Sequence, residues 1–93
     1  MLVMIKSAPD TTDGTLGLTL AHESGADVAL LQNGVYFAQK GRLGRSSGAV
    51  YVLDEDKRIR GLTDPEMDDR VKIVDYDELT DIITNGDKVT GMF

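Results

Sequence analysis

Short apolar runs recur along the chain, separated by segments in which apolar residues are three or four positions apart. A continuous apolar run of four or five residues is typical of a strand covered on both faces, whereas the wider spacing is typical of a helix with one buried side. The predicted strands span residues 2–5, 28–31, 49–53 and 71–74, and residues 89–93 predict a short terminal edge strand.

The first helix is predicted from Leu16, Leu20 and Ala21, which lie at helical spacing. Gly14 and Gly17 weaken it intrinsically, because each glycine costs roughly 1 kcal/mol relative to alanine in a helix. We therefore expect tertiary packing to hold this helix in place.

The last helix has a stronger signal. Asp75 is followed three residues later by Glu78, an Asp-led capping box, and Leu79, Ile82 and Ile83 form the stripe expected to be buried. A third helix, predicted from the acidic residues 54–56 onward, completes a βαβα order. Parallel neighbours need such crossover connections, so we predict an α/β fold: a single three-layer domain with a mostly parallel sheet of four to five strands flanked by helices.

The stretch from residue 27 to residue 37, DVALLQNGVYF, supports two local structures. Asn33 and Gly34 between two apolar segments are a strong hairpin signal, because both accept the positive φ of a tight turn. Alternatively, residues 28–31 form a buried parallel strand and Asn33 caps a short helix at its carboxyl end. The local pattern alone leaves both structures open.

The size and charge of the chain limit what it can do. A chain of 93 residues predicts one domain, residues 1–93, that buries only roughly 60 to 65% of its unfolded surface. Subunit contacts are therefore expected to add to its stability. The formal charge of -6 argues against broad nonspecific binding of nucleic acid, so a partner would hold any RNA.

The chain contains no cysteine. This fits a reducing cytosol and excludes thiol chemistry by the chain itself. The apolar run at residues 2–5 is too short for the core of a signal peptide, and no run reaches transmembrane length. The sequence thus predicts a soluble cytoplasmic protein without a membrane segment.

No catalytic residue, metal site or cofactor is predicted. His22, the only histidine, has no nucleophile motif to serve and is expected at the surface. The acidic residues 64, 66, 68 and 69 fail the EF-hand pattern, because Asp69 occupies the glycine position and Asp75 the glutamate position. Gly14 and Gly17 match no phosphate-binding motif.

The segment after the second strand offers candidates for binding. A short helix on a thin domain cannot bury Val35, Tyr36 and Phe37 together, so at least one is an interface candidate, with ordinary core packing as the alternative. Sites in α/β sheets are usually built after the carboxyl end of a strand. The residues at that point, our candidates for lining a site, are Gln32, Asn33 and Gly34.

The loop at residues 40–48 concentrates positive charge on an acidic protein. Its basic residues are Lys40, Arg42 and Arg45, which could contact an acidic partner surface or a tRNA phosphate. The alternative is a mobile, solvated connector.

Three segments in register resemble the DsrH/TusB family: LLQNGVYFA at residues 30–38, VYVLDEDKRIRGL at 50–62 and IVDYDELTDII at 73–83. The resemblance implies a DsrE/F/H-like, Rossmann-like fold and favours the strand-then-helix structure for residues 27–37. It also implies a small subunit that assembles with two larger DsrE/DsrF-like (TusD/TusC-like) subunits into a heterohexamer. Such complexes pass persulfide sulfur toward 2-thiolation of the tRNA wobble uridine or serve dissimilatory sulfur oxidation.

Some members of this family carry a cysteine in the first helix, but residues 16–20 of this chain contain none. Because a persulfide must be attached to a thiolate, we expect no catalytic activity from this chain alone. The resemblance then implies a noncatalytic subunit of a relay for tRNA 2-thiolation. A stand-alone homodimeric module of the same fold is the alternative.

Overall fold

A single parallel sheet forms the centre of the computed structural model, which describes residues 1–45, 48–86 and 88–93. Within these residues its five strands are β1 (Leu2–Ile5), β2 (Asp27–Leu30), β3 (Val50–Leu53), β4 (Val71–Val74) and β5 (Val89–Met92). The spatial order is β4-β3-β2-β1-β5, so β1 lies between β2 and the last strand of the chain. All neighbouring pairs are parallel, which confirms the predicted α/β fold and the terminal edge strand.

Helices of two kinds connect the strands. The α-helices are α1 (Thr12–Ser24), α2 (Asp54–Ile59) and α3 (Tyr76–Asn85), and the 3₁₀ helices are η1 (Gln32–Ala38) and η2 (Asp64–Glu66). At the start of α3, the Glu78 N–H donates to Asp75 Oδ1 over 2.8 Å, while the Asp75 N–H donates to Glu78 Oε1 over 3.1 Å. The capping box predicted for the last helix is therefore confirmed.

Two hydrophobic cores lie on opposite faces of the sheet, because successive strand side chains point to opposite faces. The larger core is capped by α1 and η1, and the smaller core by α3 through buried Leu79 with partly buried Ile82 and Ile83. This confirms the three layers and the predicted stripe of α3. The strand residues of the larger core are Val3, Ile5, Val28, Leu30, Val50 and Val52.

Helix α1 packs differently from the prediction. Leu16 is 54% exposed, whereas Gly14, Gly17 and Ala21 are buried. A Cβ atom at Gly17 would lie 2.8 Å from Phe93 Cβ and 3.1 Å from Ile5 Cγ1, so only a residue without a side chain fits there. Gly17, which weakens the isolated helix, is thus a residue through which the helix approaches the sheet, whereas Gly14 lies against the backbone of Ser7 and Ala8 in the segment after β1.

The stretch from residue 27 to residue 37 forms a strand followed by a helix, so the hairpin is excluded. The helix is η1, of the 3₁₀ type, and its N-cap is Leu31 with no side-chain capping bond. The prediction that Asn33 caps this helix is wrong, because the chain turns one step earlier, at Gln32 with a φ of 48°.

Candidate partner-binding site

The carboxyl end of the sheet is where η1 crosses the end of β1. The Leu31 N–H donates to the Ile5 carbonyl over 2.9 Å, and the Gly34 N–H donates to the Leu31 carbonyl over 2.8 Å. Gly34 is buried, and a Cβ atom there would overlap the carbonyl oxygen of Ile5. Gly34 therefore sets how closely η1 packs on the sheet, instead of offering a side chain to a ligand.

The three interface candidates of η1 occupy different environments. Val35 is 0% exposed and Phe37 is 4% exposed, and both belong to the larger core. Tyr36, between them, is half-buried and packs against the edge of that core. Of the three, Tyr36 retains accessible surface, and its place at an interface stays a prediction.

The start of η1 is tied to α2 by polar contacts. The Gln32 N–H donates to Asp56 Oδ2 over 2.6 Å, and Arg60 Nε donates to Asn33 Oδ1 over 3.0 Å. Arg60 in turn lies 3.9 Å from Asp56 Oδ1, the i,i+4 pair expected from the sequence. Gln32 and Asn33 are both exposed, so this cluster forms a polar rim at the carboxyl end of the sheet.

Asp56 and Arg60 were not among the site candidates from the sequence. Their spacing of four residues was visible there, but it indicated only helix support. Asp56 binds the backbone of Gln32, and Arg60 binds Asn33. Both contacts require η1 and α2 to lie side by side, and no local sequence pattern reveals that.

The basic loop is anchored over its described part, whereas residues 46 and 47 lie outside the described residues. Lys40, Arg42 and Arg45 are exposed, but Leu43 between them is 0% exposed and belongs to the larger core. Arg70 Nη1 also donates to the Gly44 carbonyl over 2.9 Å. Residues 40–45 are thus mostly exposed but held to the fold at Leu43 and Gly44, and their role in binding stays a prediction.

Arg70 is itself held by Asp68. Its Nε and Nη2 atoms donate to the two carboxylate oxygens of Asp68 over 2.9 and 2.8 Å. These bonds stabilise the carboxylate and lower the pKa of Asp68 to about 2, with a smaller contribution from the charge of Lys40. Asp68 is therefore ionised at neutral pH, so it holds Arg70, and through Arg70 the Gly44 carbonyl, by charge-assisted hydrogen bonds.

A cavity of about 340 Å³ lies between η1, the basic loop and the segment after β1. It brings together Tyr36 and Arg42, which the sequence had placed in separate candidate groups. A second cavity, of about 430 Å³, runs along the exposed side of α1 past Leu16 and shares Asp10 with the first. The first cavity is completed by Ala8, Pro9 and Asp10.

The residues weighed for catalysis do not assemble into a reaction centre. His22 is half-buried and its Nε2 atom is buried without a hydrogen-bond partner among the described residues, so the prediction of a surface residue is wrong. Asp64 Oδ1 forms an ion pair with Lys57 Nζ over 2.8 Å, and Glu66 Oε2 accepts a hydrogen bond from the Thr63 N–H over 2.7 Å. In residues 1–45, 48–86 and 88–93, no group of three or more His, Cys, Asp or Glu could hold a metal ion.

Among the described parts of the chain, no helix has the length and apolar character needed to cross a membrane.

A small parallel α/β domain is the fold expected from the DsrH/TusB resemblance. A family model described as DsrH like protein matches residues 7–89. The chain therefore belongs to the DsrH-like family, and the resemblance found in the sequence is confirmed. Family membership supports a small subunit of the sulfur-relay type in general.

Two solved structures are similar in fold. Protein Tm0979 from Thermotoga maritima, solved by solution NMR, is 21% identical, with a TM-score of 0.69, and the match covers 98% of this chain and 100% of that one. The crystal structure of the ychN protein from E. coli is 17% identical, with a TM-score of 0.71, and covers 99% and 97%. At these identities the likeness establishes the fold alone. A search of curated proteins finds no match.

Proposed function

We propose that this chain is a noncatalytic subunit of a cytoplasmic sulfur-relay complex that serves 2-thiolation of the tRNA wobble uridine. The observation that carries the proposal is the absence of cysteine from a member of a sulfur-relay family. A persulfide is carried on a thiolate, so this chain cannot hold the sulfur in transit. Its contribution is then to the assembly and shape of the complex.

The proposed partners are the two larger DsrE/DsrF-like (TusD/TusC-like) subunits, which supply the cysteine thiols. The carboxyl end of the sheet is the proposed contact region, because Tyr36 keeps accessible surface there and the exposed Gln32 and Asn33 form a polar rim. With a net charge of -6, the chain meets tRNA indirectly, through a partner. No metal or cofactor enters the proposal.

Native mass spectrometry of the purified chain, alone and mixed with the two larger subunits from the same organism, tests the assembly. We expect a defined hetero-oligomer that contains this chain. Spectra in which this chain forms no complex with either larger subunit would contradict the proposal.

The pathway needs a separate experiment. Deletion of the gene in the source organism is expected to lower 2-thiouridine in tRNA, measured by liquid chromatography and mass spectrometry of nucleosides, and the wild-type gene is expected to restore it. Unchanged 2-thiouridine in the deletion strain would contradict the thiolation branch and direct attention to sulfur oxidation.

A homodimeric module independent of the relay is the second candidate. The small size of the chain favours it, because a domain of 93 residues has a modest core that contact with a second copy would stabilise. It predicts a dimer that persists unchanged beside both larger subunits in the same native mass spectra.

A further inference from the structure

The arginines of this chain fall into two groups. Arg58, Arg60 and Arg70 pair with Asp54, Asp56 and Asp68, respectively. The other two of the five arginines in the sequence, Arg42 and Arg45, make no ion pair with a described residue, and both lie in the basic loop. On a protein with 16 acidic residues, the guanidinium groups that form no ion pair within the described part of the chain are thus concentrated in one place.

These two arginines belong to residues 40–45, the described part of the loop, which three contacts hold to the rest of the fold. Leu43, between them, is 0% exposed, the Gly44 carbonyl accepts a bond from Arg70, and the Lys40 N–H donates to the Glu66 carbonyl over 2.9 Å. A partner that binds a preorganised loop loses less conformational entropy than one that must order it. The loop therefore presents its charges at little cost to binding.

Arg42 also borders the cavity of about 340 Å³, together with Tyr36 and Asp10. This volume is at the lower end of the range of ligand pockets, and the half-buried Tyr36 and Pro9 give it an apolar wall. The guanidinium fits a carboxylate in a planar, bidentate arrangement. Asp10, however, repels a free polyanion that fills the whole cavity.

We propose that this cavity and the basic loop dock an acidic segment of a partner subunit, with one carboxylate side chain entering the cavity to meet Arg42. The inference rests on the proposed function, which supplies the partner, and adds the surface and the chemistry of contact. Charge complementarity selects an acidic protein segment, because one carboxylate satisfies Arg42 while the rest of its chain is oriented away from Asp10. A phosphate backbone would instead bring repeated charges to a protein of net charge -6.

The test compares two substitutions with the same change of charge. Arg42→Glu reverses the charge at the cavity, and Arg58→Glu reverses that of an exposed arginine paired with Asp54 on α2. Binding of each variant to the larger subunits is measured by titration calorimetry, and thermal unfolding checks that both variants are folded. We expect Arg42→Glu to weaken binding by about tenfold or more and Arg58→Glu by less than about twofold. Arg45→Glu, also at the loop surface, is expected to fall between them.

The outcomes separate this inference from the proposed function. If wild type forms the complex and Arg42→Glu binds equally well, docking at the cavity is overturned while the relay role stands. If wild type binds neither larger subunit, both are overturned. If Arg42→Glu abolishes tRNA binding but leaves the protein complex intact, the loop contacts RNA and the acidic-segment proposal is wrong. Arg42→Lys keeps the charge but lacks the planar fork of the guanidinium, so we expect it to weaken binding clearly, though less than Arg42→Glu does. A lysine variant that binds as tightly as wild type would overturn the bidentate contact.

Discussion

Helices α1 and α3 cover opposite faces of the same sheet by opposite means. Helix α3 buries Leu79, with Ile82 and Ile83 partly buried beside it, so its side chains fill the space above the strands. Helix α1 buries the small residues Gly14, Gly17 and Ala21, so its backbone approaches its neighbours closely, while Leu18 and Leu20 are only partly buried against the larger core. A helix can therefore pack closely either through large apolar side chains or through glycines that let its backbone approach. Only the large side chains leave an apolar period in the sequence.

The difference explains an error of prediction. Leu16 and Leu20 lie at helical spacing, which usually marks the buried side of a helix. Leu20 is partly buried against the larger core, but Leu16 is exposed. The sheet surface beneath α1 is already filled by Ile5 and Phe93, however, which leaves room for Gly17 but not for leucine. Leu16 consequently faces the open cavity along the outer side of α1.

The largest effect is expected from a methyl group added to the contact surface of α1. In Gly14→Ala, the new Cβ overlaps the Ala8 carbonyl oxygen, a backbone atom that can move only with its segment. We expect a loss of about 3 kcal/mol in the free energy of unfolding, despite the higher helix propensity of alanine. Urea denaturation followed by circular dichroism measures it.

The control for this prediction is Thr19→Ala, at an exposed position of the same helix. It is expected to change stability by less than about 0.5 kcal/mol. A Gly14→Ala protein as stable as this control would refute the close-contact description of α1.

Next in size is a matched pair of leucine truncations, one in each helix. Leu79→Ala removes a side chain that is 5% exposed, whereas Leu16→Ala removes one that is 54% exposed. We expect losses of about 2 to 3 kcal/mol and less than about 0.5 kcal/mol, respectively, in the same denaturation experiment. Equal losses would mean that Leu16 is packed as tightly as Leu79 and would remove the contrast.

The smallest effect is expected at Asp75, the N-cap residue just before α3. Asp75→Ala removes the acceptor of the Glu78 N–H, at 2.8 Å, and should cost about 1 kcal/mol. Asp77→Ala, a change to an exposed acidic residue two positions later in the first turn of α3, serves as the control and should cost less. Asp75→Asn is expected to restore most of the loss, and a fully destabilised asparagine variant would argue against a capping role.

The features predicted well from the sequence were local. The strand at residues 71–74 and the pair of Asp75 and Glu78 each follow from neighbours within four positions, so no knowledge of the rest of the fold was needed. The family resemblance settled the choice at residues 27–37, where local pattern alone left a hairpin open. The 3₁₀ geometry of η1 was missed, because it depends on Gly34 lying against the end of β1.

The candidate site was predicted only in pieces. Tyr36 and Arg42 were both chosen from the sequence, yet their shared cavity arises from the packing of Leu43 beneath the loop and from the position of Pro9 after β1. Likewise, the contact of Arg60 with Asn33 joins residues 27 positions apart. Contacts between residues so far apart in the sequence depend on the order of strands in the sheet, which the sequence pattern did not specify.

The position of β1 between β2 and β5 also has a consequence for how the chain acquires its fold. The register of β1 and β5 joins Leu2 to Val89, so this strand pair closes a loop of nearly the whole chain. Contacts with such long sequence separation form slowly, because the loop-closure entropy is lost before the strand contacts compensate for it. During synthesis, β1 can pair with β2 early but remains an open sheet edge on its other side until residues 89–92 leave the ribosome. An open edge is a template for pairing with other chains, so this interval is when the nascent protein is most exposed to aggregation.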